Sequence, residues 1–221
     1  MLRSSPAVTA ALLALGIAGP ASATIMVPLS LAELATESTA IVRARVLDRS
    51  AVWDDERKRI YTTTVLEVVE SVYSVAPLGR EIRVRTLGGE VGEVGMKVAG
   101  TPDLKLGEEV LLFLRPDGKV PTSFAVIGMN QGRFSMRTDS AGRLIATPTW
   151  DGIAFARPGN DGVLRVAGHE TPTRSRYLEL RTQILALRAQ AAAPAAPAAP
   201  QAPAVPAAPA APASPVAPTG K

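Results

Sequence analysis

The chain has 221 residues, with 24 Lys and Arg against 20 Asp and Glu and no cysteine. The signs alternate, as in Asp54-Asp55-Glu56-Arg57-Lys58-Arg59, and no one-signed stripe with interleaved aromatics is present, which excludes the usual footprint of a nucleic-acid partner. Without cysteine there is neither a disulfide framework nor a thiol-borne lipid anchor, so folding must rest on the hydrophobic core.

Residues 1–23 read as a cleavable secretory signal peptide. Arg3 supplies the positive charge, 7–19 (AVTAALLALGIAG) an uncharged apolar run, Pro20 a helix break, and Ala21-Ser22-Ala23 the small-x-small cleavage site. The run is too short to span a bilayer, which takes about 20 apolar residues. The mature chain is therefore expected to begin near Thr24, to be secreted or periplasmic, and to make no membrane insertion after cleavage.

At the other end, 191–221 is almost entirely Ala and Pro, with proline at every third position from Pro194 to Pro218. That register matches the three-residue turn of polyproline II, and the composition offers too little apolar surface to offset the entropy of ordering. The tail is expected to be disordered, serving as a semi-rigid spacer or as the ligand of a proline-recognising partner. Between the two ends, 24–190 is one domain, long enough for a core without covalent staples.

Ser30-Leu31-Ala32-Glu33 is a capping box and predicts a short helix over 31–37. Two β-rich runs come next, 40–53 (AIVRARVLDRSAVW) and 59–73 (RIYTTTVLEVVESVY), flanking a charged turn and predicting a long hairpin. Segment 81–87 (EIRVRTL) alternates Ile82, Val84 and Thr86 with charged residues, as a half-buried strand does. The continuous run 110–114 (VLLFL) predicts a central strand, with shorter strands over 124–129, 133–137 and 143–147. A weaker hairpin is expected over 153–156 and 163–166, turning at Asn160-Asp161-Gly162. A helix over 174–190 closes the domain, with Tyr177, Leu180, Ile184, Leu185 and Leu187 at helical spacing, and is expected to dock on the sheet. The fold class is mainly β: a small antiparallel barrel or curled sheet, OB-like, with a short N-terminal helix and a C-terminal amphipathic helix.

Several stretches carry a resemblance. Ile41-Val42-Arg43-Ala44-Arg45-Val46, Leu87-Gly88-Gly89-Glu90-Val91-Gly92, Gly95-Met96-Lys97-Val98, 106–114 (LGEEVLLFL) and 126–134 (VIGMNQGRF) resemble an uncharacterised family of exported bacterial β-rich proteins. More distantly, the order of strands with a glycine before VLLFL is similar to the netrin-like modules that include tissue inhibitors of metalloproteinases, which implies an OB-type barrel. Those inhibitors chelate zinc through an N-terminal cysteine. Thr24 stands at the corresponding end here, so that device is not expected to carry over.

The glycine-rich segment 88–100 (GGEVGEVGMKVAG) is the most distinctive internal feature. It lacks the Lys-Ser/Thr ending of a phosphate-binding P-loop and no helix succeeds it, which leaves a loop folded against the core or a ligand-contacting loop. Gly88, Gly89, Glu90, Met96 and Lys97 are its candidate ligand-binding residues, with Asn130 and Gln131 as the polar candidates outside it. The single histidine, His169, has no second imidazole and no nucleophile motif beside it, so no catalytic residue, metal or cofactor is expected. Glu108-Glu109 and Asp54-Asp55 are adjacent carboxylates, but neighbours on a strand point to opposite faces and do not converge. The sequence thus reads as an exported non-enzymatic binding or protein-interaction module whose partner is an unidentified protein or envelope component. The rivals are a secreted hydrolase with an unrecognised carboxylate site, or an envelope structural protein using its proline-rich tail as spacer.

Overall fold

The computed structural model describes residues 23–120, 122–167 and 171–192. The predicted signal peptide up to Ser22, the loop residue His169 and the Ala/Pro tail from Ala193 lie outside the described residues. The chain divides into two units after Ala191, and the first of them holds all of the strands.

In chain order, β1 (Thr24–Met26) leads to α1 (Leu31–Glu37), which starts where the capping box puts it. The Glu33 amide donates to the Ser30 hydroxyl at 3.2 Å and the Ser30 amide donates to the Glu33 carboxylate at 2.7 Å. Next come β2 (Ala40–Trp53), β3 (Ile60–Ser74), β4 (Glu81–Leu87), the short β5 (Gly89–Val91) and β6 (Val94–Met96), β7 (Glu109–Pro116) and β8 (Ser123–Val126). The chain continues through β9 (Arg133–Thr138), β10 (Leu144–Pro148), β11 (Ile153–Pro158), β12 (Leu164–Val166), β13 (Ser175–Arg176) and α2 (Tyr177–Ala192).

Five of these strands close a barrel in the order β7-β2-β3-β4-β8, with β8 pairing back onto β7. An odd ring cannot alternate direction all the way round, so one neighbouring pair must be parallel. That pair is β4–β8, at Arg83↔Ser123 and Val84↔Phe124. A second parallel pair, β1–β11, lies outside the barrel, so the sheets are not purely antiparallel. The barrel has the strand order of an OB-type fold.

Period two divides the side chains of β2 and β7 between two cores. Ala40, Val42, Ala44 and Val46 point into the barrel with Val110, Leu112, Leu114, Leu66, Ile82 and Val84. Ile41, Leu111 and Phe113 point outward, into a second core closed by α1 and α2. VLLFL is thus a continuous apolar run because β7 is covered on both faces, a pattern more familiar from parallel sheets. On that outer side Tyr177, Leu180 and Ile184 of α2 are buried, and Leu185 and Leu187 are partly so. Arg188 stacks on the Tyr73 ring at 3.7 Å and donates to the Ala35 and Thr36 carbonyls at 3.0 and 2.9 Å, completing the C-terminal end of α1.

Three predicted elements differ. The strand expected over 124–129 ends at Val126, because Gly128 and Met129 both take positive φ (61° and 56°) and start a 3-10 turn, Met129–Gly132. A Cβ at Gly128 would lie 2.5 Å from the Leu29 side chain, so glycine alone fits there. The last helix starts at Tyr177 rather than 174, because Ser175 and Arg176 instead pair with Ala146 and Ile145 of β10. The glycine-rich segment is a two-stranded hairpin, β5–β6, rather than an irregular loop.

Candidate binding cleft at the barrel mouth

The hairpin of β2 and β3 is longer than the barrel it helps to close. A bulge between Val46 and Asp48 inserts Leu47 and bends β2, and β7 accompanies β2 only from Ala40 to Arg45. Beyond the bulge, Arg49, Ala51 and Trp53 stand opposite Thr64, Thr62 and Ile60, continuing the inward face of the barrel into an open mouth.

Two glycines cover part of that mouth. The Gly88 amide extends the β3–β4 ladder by donating to the Ile60 carbonyl at 2.7 Å, and the Thr62 hydroxyl donates to the Gly88 carbonyl at 2.6 Å. The chain then turns across the hairpin with φ of 106° at Gly88 and 137° at Gly89. A Cβ at Gly88 would lie 2.8 Å from the Met96 carbonyl oxygen, and one at Gly89 would collide with the Thr62 hydroxyl. Both glycines are therefore required, by positive φ and by close approach, to the Met96 backbone at Gly88 and to the Thr62 side chain at Gly89. From there β5 and β6 form a lid.

The opposite wall is the segment 101–107. Leu104 plugs the barrel core, which lifts Leu106 out to 65% exposure. The Gly107 amide returns to the Val46 carbonyl at 2.9 Å, and Asp103 pairs with Arg49 at 2.9 Å. These walls enclose a cleft of 830 Å³, with Thr62 and Thr86 on its floor. Five of the seven sequence candidates, Gly88, Gly89, Glu90, Met96 and Lys97, line it together.

Asn130 and Gln131 lie elsewhere, both almost fully buried at 2% and 3%. The Asn130 side chain donates to the Asp151 carbonyl at 3.3 Å while its amide donates to the Gly100 carbonyl at 2.9 Å. Gln131 accepts from the Leu29 amide at 2.7 Å and donates to the Val27 carbonyl at 3.3 Å, tying the segment after β1 to the barrel. The Gln131 amide and the Asn130 amide nitrogen serve the backbone of this chain, whereas the Asn130 Oδ1 is buried without a hydrogen-bond partner among the described residues. Gln131 also lines a smaller groove of 390 Å³ between Leu29, Trp150 and Phe155, outside the barrel mouth.

Several charged groups elsewhere are held in pairs. Glu108 and Glu109 do diverge: Arg133 holds the first at 2.7 Å and Arg43 the second at 2.8 Å. On the α2 side Glu70 accepts from the Tyr177 hydroxyl at 2.7 Å and from Arg181 at 2.6 Å, with Arg43 at 3.5 Å. Burial pushes its pKa upward, but the hydrogen bonds from Tyr177 and Arg181 and the two positive charges outweigh it, and the carboxyl ends below its ordinary value. Burial, and then the bond to Glu70, drive Tyr177 the other way, well above the usual phenol range. Among the described residues the other carboxylates that shift, Glu33, Asp54, Asp139 and Asp161, also move downward, the reverse of what a general acid at neutral pH needs. Among the described residues no group of three His, Cys, Asp or Glu side chains converges as a metal site, and no helix is long and apolar enough to cross a membrane.

Neither protein-family models nor curated proteins match the chain.

Sequence reasoning found the lid but not the rest of the cleft. Arg49, Thr62 and Thr86 read as ordinary strand residues, and Asp103 and Leu106 as loop. The one signal available was the mismatch in length between a 14-residue β2 and the barrel strand β7 of 8 residues, which leaves part of β2 without a second neighbour.

Proposed function

We propose that this chain is an exported, non-enzymatic binding module whose ligand site is the cleft at the barrel mouth, and that its partner is a protein or envelope component. The observation that carries the reading is the convergence of β2, β3, β4, the β5–β6 lid and the segment 101–107 on one cleft of 830 Å³. Mouths of β-barrels are favoured sites for ligands, and this one mixes threonine hydroxyls, an ion pair and exposed apolar side chains. Export rests on the composition of residues 1–23. A hydrolase would need two cooperating carboxylates in the cleft, and of the two there, Asp103 is already engaged by Arg49 at 2.9 Å. The OB-type strand order is compatible with the netrin-like resemblance, and no activity is transferred from those modules on fold alone.

Amide chemical-shift mapping of the full chain tests this reading. Neutral oligosaccharides and a random octapeptide library are the two probes. Ligands from either pool should shift 49–51, 87–90, 95–98 and 101–106. Shifts confined to the Leu29 and Trp150 groove, or no ligand in either pool, would contradict it.

A further inference from the structure

The geometry of the cleft narrows the class of ligand. Arg49, Ser50 and Ala51 all line it, although successive residues of a strand point to opposite faces. A cleft that touches three in a row faces the edge of the strand. That edge is open: among the described residues no strand pairs with this side of β2 beyond Arg45.

Hydrogen-bond alternation shows what the open edge presents. The Asp54 amide donates to the Arg59 carbonyl at 2.8 Å, so 54/59 is a hydrogen-bonded pair, and by alternation 53/60, 51/62 and 49/64 are not. The Gly88 amide bonding to the Ile60 carbonyl agrees, since Ile60 then faces β4. The N–H and C=O groups of Arg49, Ala51 and Trp53 therefore point away from β3. Across the cleft stand Gly95, Met96, Lys97 and Val98, again consecutive, from and just after β6, whose one strand partner is β5.

A row of alternating donors and acceptors is matched by another extended main chain. Charge points the same way. Arg49 is paired with Asp103, and the lining holds two positive groups, Arg49 and Lys97, against two negative ones, Asp103 and Glu90, which suits an uncharged backbone better than a polyanion. Leu106, 65% exposed, lines the cleft, where an apolar side chain of an added segment would rest. Resting on the cleft reading, we propose that the slot recognises an extended segment of a partner polypeptide, added as a strand to the open edge of β2.

The experiment selects binders of the full chain from a random octapeptide library and follows amide exchange with and without the selected peptide. The amides of Arg49, Ala51 and Trp53 should slow by at least about tenfold on binding. Methylating the peptide nitrogens in one alternate register should weaken binding by about tenfold or more, and in the other register hardly at all. Ala51→Pro removes an outward donor while leaving the β2–β3 ladder intact, and should weaken binding comparably; should that variant not fold, the methylated peptides carry the same test. Peptides that bind without protecting these amides, equal effects of both registers, or a library without binders would overturn the proposal. So would protection that grows with protein concentration in the absence of peptide, which would make a second copy the occupant. If oligosaccharides alone reach the cleft, the strand proposal falls and the cleft reading stands; if neither probe does, both fall.

Discussion

The two halves of the β2–β3 hairpin are one continuous piece of sheet put to opposite uses. In the first half, Ala40 to Val46, β2 has β3 on one edge and β7, then the Glu108 backbone, on the other, and its apolar side chains are buried on both faces. In the second half, among the described residues, it pairs with β3 alone, and Val52 is more than half exposed. The change falls at the bulge after Val46, where one extra residue bends the strand away from β7. The barrel is thus stabilised by one half of the hairpin, which leaves the backbone of the other half available at the cleft.

Perturbing each half should have separable consequences. Phe113→Ala empties a fully buried position against Phe134 and the helices and should cost about 3–5 kcal/mol in urea unfolding. Gly89→Ala forces a side chain into the Thr62 hydroxyl at a φ of 137° and should cost about 1–3 kcal/mol. Its signature is local: exchange at 88–98 should quicken while Val110 and Leu112 keep their protection. If both regions loosen together, the lid and barrel are not separable.

Glu70→Gln has one acceptor oxygen where the carboxylate has two, so it keeps the bond from Tyr177 or from Arg181 but not both, and it loses the charge, for an expected cost of about 1–2 kcal/mol at neutral pH. The pH dependence comes from the lowered carboxyl. Its contribution is fully present above the unfolded value, 4.5, and is lost as the pH falls through the lower folded value. Wild type should therefore lose its advantage over Glu70→Gln on acidification, read from urea midpoints at stepped pH. Smallest is Asp103→Asn, which breaks a partly exposed ion pair at 2.9 Å and should change stability by less than about 1 kcal/mol. A larger loss would mean that this pair holds the barrel and not merely the cleft wall.

Much of the barrel was legible in the residues. Period two at 81–87, the continuous run at 110–114 and the capping box at Ser30 each name their element, because each reports a local burial or hydrogen-bonding demand. What was not legible is non-local. The two-residue β13 exists because Ala146 lies beside Ser175, and β1 because Ile153 lies beside Thr24. Asn130 and Gln131 show the same limit for the site: turn-flanked amides look like ligand contacts in sequence, and only the fold reveals Asp151, Val27 and Leu29 as their partners. The glycines of the lid stand out in the sequence, but the backbone edge beside them has no sequence signature, since every residue carries the same N–H and C=O.

Amide exchange along β2 of the unliganded protein tests the contrast most directly. Ala44 and Val46 should exchange only through openings close to global unfolding, whereas Arg49, Ala51 and Trp53 should exchange orders of magnitude faster, nearly as an unprotected chain does. Equal protection along the whole strand would contradict the account, because it would mean that the edge facing the cleft is already paired.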